Sequence, residues 1–533
     1  MILFIVSGSF MLTSTSCIKD LLSIKEVKIE DSFNPELAIP LAHANISVLD
    51  MMKFVNQDSI AKIDPDGFIR FVYASYPQRV YANEIVNIPN QSFNAGPFKH
   101  NTGVNDSIRV NMPIYFFDKI DNNVYLPDGE ELSKLHFKSG KMILKLRSTI
   151  RRAGEIEINI TGAKLKNGKD FSQIIPISYT GGTETYIYDT FDLSGCKFDM
   201  TAGGTGYNKI QISYTITLNQ NANYIRKKDE VEIDVFYRNI EFSYLEGYLG
   251  AHDLNYAADS IVINLLKNLE ANNMRFYNPS LSFNFKNSAG MPFQISNQQV
   301  KSYATVNPVQ LSGSFLLTPI DVYFPSLSET GQTKMTSSVA NRYNSNIRDM
   351  LNEAPGYFTM DMDIKTNSAG KRYDNFLTDS SYFEIMTEIN MPLYGSLKNY
   401  QYEFYLGVDS LDMSILEQIQ LNLLSENGTP LDMNLQVYLA DTARNILDSI
   451  VESTSLLFKS GVVDTSGKVI KPTKSLTKFI VSKDKIEKNP ELSQFIIRIF
   501  ASSADKATKD IKVYTYNRLD LKVSLYVKLK IEF

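Results

Sequence analysis

The residues best placed for covalent chemistry lie at the start of the chain. Met1 to Phe10 read MILFIVSGSF, almost wholly apolar, and the small residues Ser14, Thr15 and Ser16 lead directly into Cys17. The run is too short to cross a bilayer, which takes about 20 apolar residues. Its length suits the apolar core of a signal peptide, and the small residues suit a cleavage site. A cysteine directly after such a site is where lipoprotein processing forms a diacylglyceryl thioether. Cys17 is therefore predicted to carry covalent lipid, and residues 1–16 to be removed as a signal peptide. Each buried methylene of an acyl chain contributes about 0.8 kcal/mol, so two or three chains anchor firmly.

Little else in the chain suggests reaction chemistry. With Cys17 lipidated, Cys196 has no disulfide partner, and its setting, Gly195-Cys196-Lys197-Phe198, predicts an inert thiol in an apolar strand. The four histidines, His43, His100, His136 and His252, show no metal-ligand spacing, and no HExxH, G-x-S-x-G or Walker pattern occurs. Gly203-Gly204-Thr205-Gly206 lacks the lysine that would reach a phosphate and reads as a turn. These patterns predict no catalytic residue, no metal ligand and no cofactor besides the lipid. Two acidic runs, Asp118, Asp121, Asn122 and Asn123, then Asp128, Glu130 and Glu131, do supply the hard oxygens that calcium (Ca2+) prefers. They do not follow the EF-hand order and read first as turns. For ligand binding, the group Tyr394, Tyr400, Tyr402 and Tyr405 could stack on sugars, as could Tyr73, Tyr76 and Tyr81.

The elements that must position these residues are mostly strands. The chain has 533 residues, enough for two to four domains, with 30 Tyr and 31 Phe but no Trp. Together with many Ile, Val and Thr this is a strand-forming composition. A net charge of -5, spread along the chain, lacks the basic footprint of a nucleic-acid binder. Glu155-Ile-Glu-Ile-Asn-Ile160 alternates cleanly, as do Phe68 to Tyr73 and Lys141 to Arg147, with turns at Asp66-Gly67, Asp128-Gly129 and Asn167-Gly168. Short strands at this spacing predict several antiparallel β-sandwich domains in tandem, with a few short helices. Helices are expected after Ser47 (through Met51, Met52 and Phe54), at Asp259 to Glu270 and at Val339 to Asn352.

The expected division is a tether over 17–33, an N-terminal β domain over 34–249 and two related sandwiches over 250–395 and 396–533. The two sandwiches are linked by an internal repeat. Asn278 to Pro292 runs strand, turn, strand, with Asn287, Gly290 and Pro292 in the turn. Ile419 to Pro430 repeats the plan with Asn427, Gly428 and Pro430, and each reads as a hairpin. The last stretch, Leu521 to Phe533, has apolar residues at every odd position, a pattern that also fits the closing strand of an outer-membrane barrel.

Leu12 to Cys17 resembles a lipobox, and Ile18-Lys19-Asp20 is similar to the start of surface-displayed lipoproteins of the Bacteroidota. The following Asn34-Pro35, Ala38-Ile39-Pro40-Leu41 and the segment to Asp50 resemble the opening of large, β-rich, mostly uncharacterised lipoproteins of the same lineage, which also share the asparagine-glycine-proline turn. The resemblance implies a lipid-anchored protein of the outer membrane, on the cell surface or the periplasmic face, and no known activity. The expected function is a non-enzymatic binding, adhesion or envelope-assembly accessory whose partners are the membrane and another envelope protein or an extracellular ligand such as a glycan. A second reading is a glycan-binding lipoprotein serving an outer-membrane importer. A third is an outer-membrane β-barrel.

Overall fold

The computed structural model describes residues 36–48, 60–266, 273–304, 308–407, 416–450, 455–489, 491 and 493–529. Cys17, the tether and the helix expected after Ser47 lie outside these residues. The chain is 59% strand and 7% helical, with antiparallel sheets throughout, so the mainly β reading holds. Three early strands are β1 (Glu36–Ser47), β2 (Ile69–Ala74) and β3 (Gln78–Tyr81). All three end up in sheets completed much later in the chain.

The first sandwich is built from β4 (Gln91–Lys99), β5 (Ile114–Asn123), β6 (Glu131–Ser148), β7 (Gly154–Lys164), β8 (Asp170–Ile177), β9 (Thr185–Asp192), β10 (Lys197–Asp199), β11 (Lys209–Leu218) and β12 (Glu230–Tyr248). One leaf runs β4-β12-β6-β9 and the other β8-β7-β11-β5, with β10 bridging β6 and β7. Period-two patterning explains the packing. Met142, Leu144 and Leu146 of β6 and Val231, Ile233 and Val235 of β12 are buried, as are Ile156 and Ile158 of β7 and Ile212, Tyr214 and Ile216 of β11. Rings meet between the leaves, Phe98 of β4 lying 6.1 Å from Phe116 of β5 and 6.3 Å from Tyr214. Each fully buried aliphatic side chain contributes roughly 1.5–3 kcal/mol. Midway along β12 the register shifts and Asn239 takes φ 53°, a bulge that bends the long strand.

The second sandwich comprises β13 (Asp253–Val262), β14 (Ser280–Asn287), β15 (Phe293–Tyr303), β16 (Pro308–Gln310), β17 (Ile320–Val322), β18 (Lys334–Asn341), β19 (Tyr357–Thr366), β20 (Asn375–Thr378) and β21 (Tyr382–Pro392). One sheet runs β13-β19-β15, with β16 and β17 on the far side of β15. The other runs β18-β14-β21, and β2 and β3 lie outside β21. The tail of β12 pairs with β20, so the two sandwiches share hydrogen bonds across residue 250. Both helical expectations here are corrected. Residues up to Val262 pair as strand with β19 and are followed by one 3-10 turn at Asn264–Leu266. Residues 334–341 pair with β14, leaving only Ile347–Asn352 helical. In both places alternation beside a waiting partner strand overrides the helical spacing.

The third sandwich contains β22 (Tyr394–Leu397), β23 (Tyr400–Gly407), β24 (Leu416–Asn427), β25 (Leu431–Ala440), β26 (Ile446–Ser449), β27 (Ser455–Phe458), β28 (Thr473–Ser482), β29 (Gln494–Ser503) and β30 (Arg518–Leu529). Its sheets run β23-β29-β25, with β26 and β27 beyond β25, and β28-β24-β30-β1. This is the strand order of the second sandwich, strand for strand. β13, β14, β15, β18, β19 and β21 correspond to β23, β24, β25, β28, β29 and β30, and each array gains its outermost strand from the first 81 residues. The repeated asparagine turns are therefore not hairpins. β14 and β15 lie in different sheets, as do β24 and β25, so each turn is an arch that carries the chain across the core.

The barrel reading of the last strand is corrected by the same pairing. β30 lies between β1 and β24 in an open four-stranded sheet. Leu519 and Leu521 on it are buried in one cluster with Leu423 of β24 and Met433, Leu435 and Val437 of β25. No helix among the described residues is long and apolar enough to cross a membrane.

Candidate functional site

Of the four tyrosines singled out from the sequence, Tyr394, Tyr400 and Tyr405 do not form one site. Tyr394 stands on β22 with its ring centroid 4.3 Å from that of Tyr277 and Lys512 Nζ 4.9 Å from its own. The stack continues through Arg342, 4.1 Å from the Tyr277 centroid and 4.6 Å from that of Tyr343. On β23, Tyr400 pairs with Ala501 and Tyr405 with Ile496, so alternation sends the two to opposite faces. Burial raises the Tyr400 phenol above its usual range, as expected of a packing ring. The side chain of Tyr402 lies outside the described residues. Tyr405 is 37% exposed, lies under Arg444 at 4.0 Å and donates a 2.6 Å hydrogen bond to Glu403 Oε1. That bond, with the Arg498 guanidinium beside it, holds the Glu403 carboxyl below its usual range. Tyr73 is buried, and burial pushes its phenol up to about 12.

A more extended aromatic surface lies on the outer face of the first sandwich. Along β9, Tyr186 and Tyr188 are 63% and 66% exposed and project from one face about 7 Å apart. Tyr186 pairs with Arg147 and Tyr188 with Lys145 on β6, which in turn pair with Glu232 and Asp234 on β12. Lys145 Nζ sits 4.9 Å from both the Tyr188 and the Phe236 ring centroids, and Arg238 lies 4.8 Å from the Phe236 centroid. Arg147 is held by Glu230 at 2.9 Å, Glu232 at 2.8 Å and Glu184 at 3.1 Å, and Tyr186 donates to Glu184 Oε2 at 2.5 Å. These contacts fix a flat face of alternating rings and charges, with the two tyrosines standing clear. The sequence signal was the alternation of Thr185 to Asp192, in which Tyr186 and Tyr188 occupy the polar-facing positions.

The acidic runs resolve into separate duties. Asp121 accepts from Gln211 at 2.7 Å, Asn122 is buried and donates to the Ile210 carbonyl at 3.2 Å, and Glu130 is buried and accepts from the Asp128 amide at 3.0 Å. Glu131 binds Lys371 at 2.5 Å and accepts from the Tyr373 hydroxyl at 2.8 Å. No group of three or more His, Cys, Asp or Glu among the described residues could hold a metal ion. Among the buried charges that sequence reasoning missed is Arg152. It is 1% exposed and donates to the backbone carbonyls of Met112 at 2.7 Å, Asn219 at 3.3 Å, Asn221 at 3.0 Å and Val110. Its partners are carbonyl dipoles, and it clasps the loops at one end of the sandwich.

No family model and no curated protein matches the chain. Among solved structures, a protein of Parabacteroides distasonis thought to be secreted aligns at 9% identity over 92% of this chain and 99% of its own, with a TM-score of 0.29. The Gt strain structure of infectious bursal disease virus aligns at 7% identity over 96% of this chain and 83% of its own, with a TM-score of 0.14. Scores of this size establish neither a shared fold nor a shared role.

Proposed function

We propose that the chain is a membrane-anchored lipoprotein of the bacterial outer membrane that acts by binding and has no catalytic role. Lipid on Cys17 holds the protein, and the first sandwich presents the face built around Tyr186 and Tyr188 to another envelope protein or an extracellular ligand. The observation that carries this reading is the exposure of those two rings, Tyr186 beside Arg147, which carboxylates already engage, and Tyr188 under Lys145. Large aromatic side chains with restricted rotamers are effective contact residues, because ordering them on binding costs little entropy. Metabolic labelling with a palmitate analogue checks the anchor: the wild type takes up label and Cys17→Ser does not. Affinity capture from solubilised envelopes checks the face, and a partner retained by wild type but lost by Tyr186→Ala with Tyr188→Ala supports it.

A second reading is favoured by the same rings. Two tyrosines flanked by donors and acceptors could stack on a sugar, so a glycan-binding lipoprotein is the alternative. Glycan-array binding that disappears with the same double substitution would select this alternative. Hydrolysis of any bound glycan would overturn both readings.

A further inference from the structure

The second and third sandwiches share one strand order, so their outer faces can be compared position by position. Counting back from Asn287 and Asn427, the last residues of β14 and β24, Asn284 corresponds to Leu424. In the second sandwich Asn284 pairs with Ser337 and is bound by it at 2.8 Å, and it donates to Glu388 at 3.3 Å. In the third, Leu424 pairs with Leu476 and both are exposed, at 47% and 58%. Four residues further along β28, Ile480 is 52% exposed. The second sandwich carries Ser337 and Asn341 where the third has Leu476 and Ile480, and its own exposed apolar residues on this strand, Met335 and Val339, stand where the third has lysines, Lys474 and Lys478.

The charges on the two faces also differ. The second sandwich places Glu384 and Glu388 on this face, beside Lys286 and Asn284. The third places Lys478 between Leu476 and Ile480, and Lys522 beside Leu424. Its acidic residues are engaged, Glu426 with Lys474 at 3.3 Å and Asp520 with His43 at 3.1 Å. Among the described residues Lys478 and Lys522 form no ion pair. The sheet bearing this face is also the one the chain enters first. β1 pairs with β30, and Glu36 at the start of β1 is 19 residues from Cys17, no more than about 65 Å of fully drawn-out chain.

We propose that the outer face of β24, β28 and β30, with Leu424, Leu476 and Ile480 between Lys478 and Lys522, rests on the membrane surface that carries the anchor. The leucines and isoleucine enter the headgroup boundary, and the two lysines meet anionic phospholipid headgroups, the pattern of an interfacial contact built on a sheet. The proposal rests on the lipid-anchored reading for the tether. It also orients the molecule, since the third sandwich then lies against the bilayer.

The test uses the anchored protein reconstituted into vesicles of phosphatidylethanolamine and phosphatidylglycerol. A fluorophore is placed through Leu476→Cys or, at the corresponding position of the other sandwich, through Ser337→Cys. Nitroxide-labelled lipid should cause loss of fluorescence at position 476 and none at 337. Adding Lys478→Glu and Lys522→Glu to the first variant should remove that loss, and so should replacing the anionic lipid with phosphatidylcholine. Equal quenching at both positions, or at neither, overturns the proposal. So does quenching at 476 that persists after both charge reversals. Palmitate labelling is read separately: absent label removes the anchor, whereas present label with an unquenched position 476 removes only this face.

Discussion

Asn287 and Asn427 make the same pair of bonds at the same place in two sandwiches. Both are fully buried, and each ends a strand of one sheet where the chain crosses to the other. Asn287 Nδ2 donates to the Met291 carbonyl at 3.1 Å and its Oδ1 accepts from the Ala289 amide at 2.9 Å. Asn427 Nδ2 donates to the Leu431 carbonyl at 3.0 Å and its Oδ1 accepts from the Thr429 amide at 2.9 Å. One side-chain amide thus satisfies the backbone donor and acceptor that the arch would otherwise bury without partners.

These bonds predict the cost of removing either amide. Asn287→Ala leaves one buried amide and one buried carbonyl unpartnered, which costs about 2 kcal/mol. Asn427 also donates to the Lys459 carbonyl at 3.0 Å and accepts from the Thr429 hydroxyl at 2.7 Å, so Asn427→Ala should cost about 3 kcal/mol. Because the two sites share no partner, the double substitution should equal the sum to within roughly 0.5 kcal/mol. Urea unfolding followed by far-ultraviolet circular dichroism measures all three. Equal, negligible losses would show that the arches hold without their amides.

A second prediction concerns how the early chain is held. Glu384 on β21 is nearly buried and binds Arg79 of β3 at 2.6 Å and Lys286 of β14 at 2.8 Å, joining β3 to the second sandwich. Burial alone would raise its carboxyl, but the hydrogen bonds from Lys286 and Arg79 outweigh it and hold the group below the usual carboxylate range. The sign follows directly. A carboxylate whose folded value is depressed contributes stability above its unfolded value, and loses it as pH falls through the folded one. Stability should therefore decline on acidification from the ordinary carboxylate range downward, and Glu384→Gln should flatten that part of the decline while costing about 2 kcal/mol at neutral pH. Thermal melts of both proteins between neutral and strongly acid pH provide the comparison. An unchanged acid limb in Glu384→Gln would mean that another group carries it.

Period-two alternation made the strands of the first sandwich legible, because one face of each meets a core and the other meets water. The repeat around Asn287 and Asn427 was also visible, but its meaning was not. A hairpin and an arch use the same Asn, Gly and Pro, and only the partner strands, hundreds of residues away for β1 and β30, decide between them. Distance in sequence also hid the shared strands: nothing local in Glu36 to Ser47 says that it completes the sheet of Arg518 to Leu529. The tyrosine group failed for a simpler reason. Nearness in sequence does not give a common face, since Tyr400 and Tyr405 are an odd number of residues apart on one strand. Tyr186 and Tyr188, two apart, do share one.

The last prediction concerns the thiol of Cys196. The residue is 2% exposed and lines a pocket with Leu165, Lys166, Asn167, Asp192 and Ser194, and its backbone is bonded on both sides, to Leu193 and to Phe137. Burial, with the Asp192 carboxylate nearby, raises the thiol above its ordinary value of 9.0. Nucleophilic attack needs the thiolate, so the folded protein should resist an aromatic disulfide reagent at pH 8 while the urea-unfolded chain reacts at once. A raised folded value also fixes a pH limb: the neutral thiol's contribution is whole below the unfolded value near 9 and is lost as pH rises through the folded one. Cys196→Ala should remove that alkaline limb and cost about 1 kcal/mol from the emptied space. Rapid reaction of the native thiol, at a rate close to that of the unfolded chain, would instead mark the pocket as an open and reactive one.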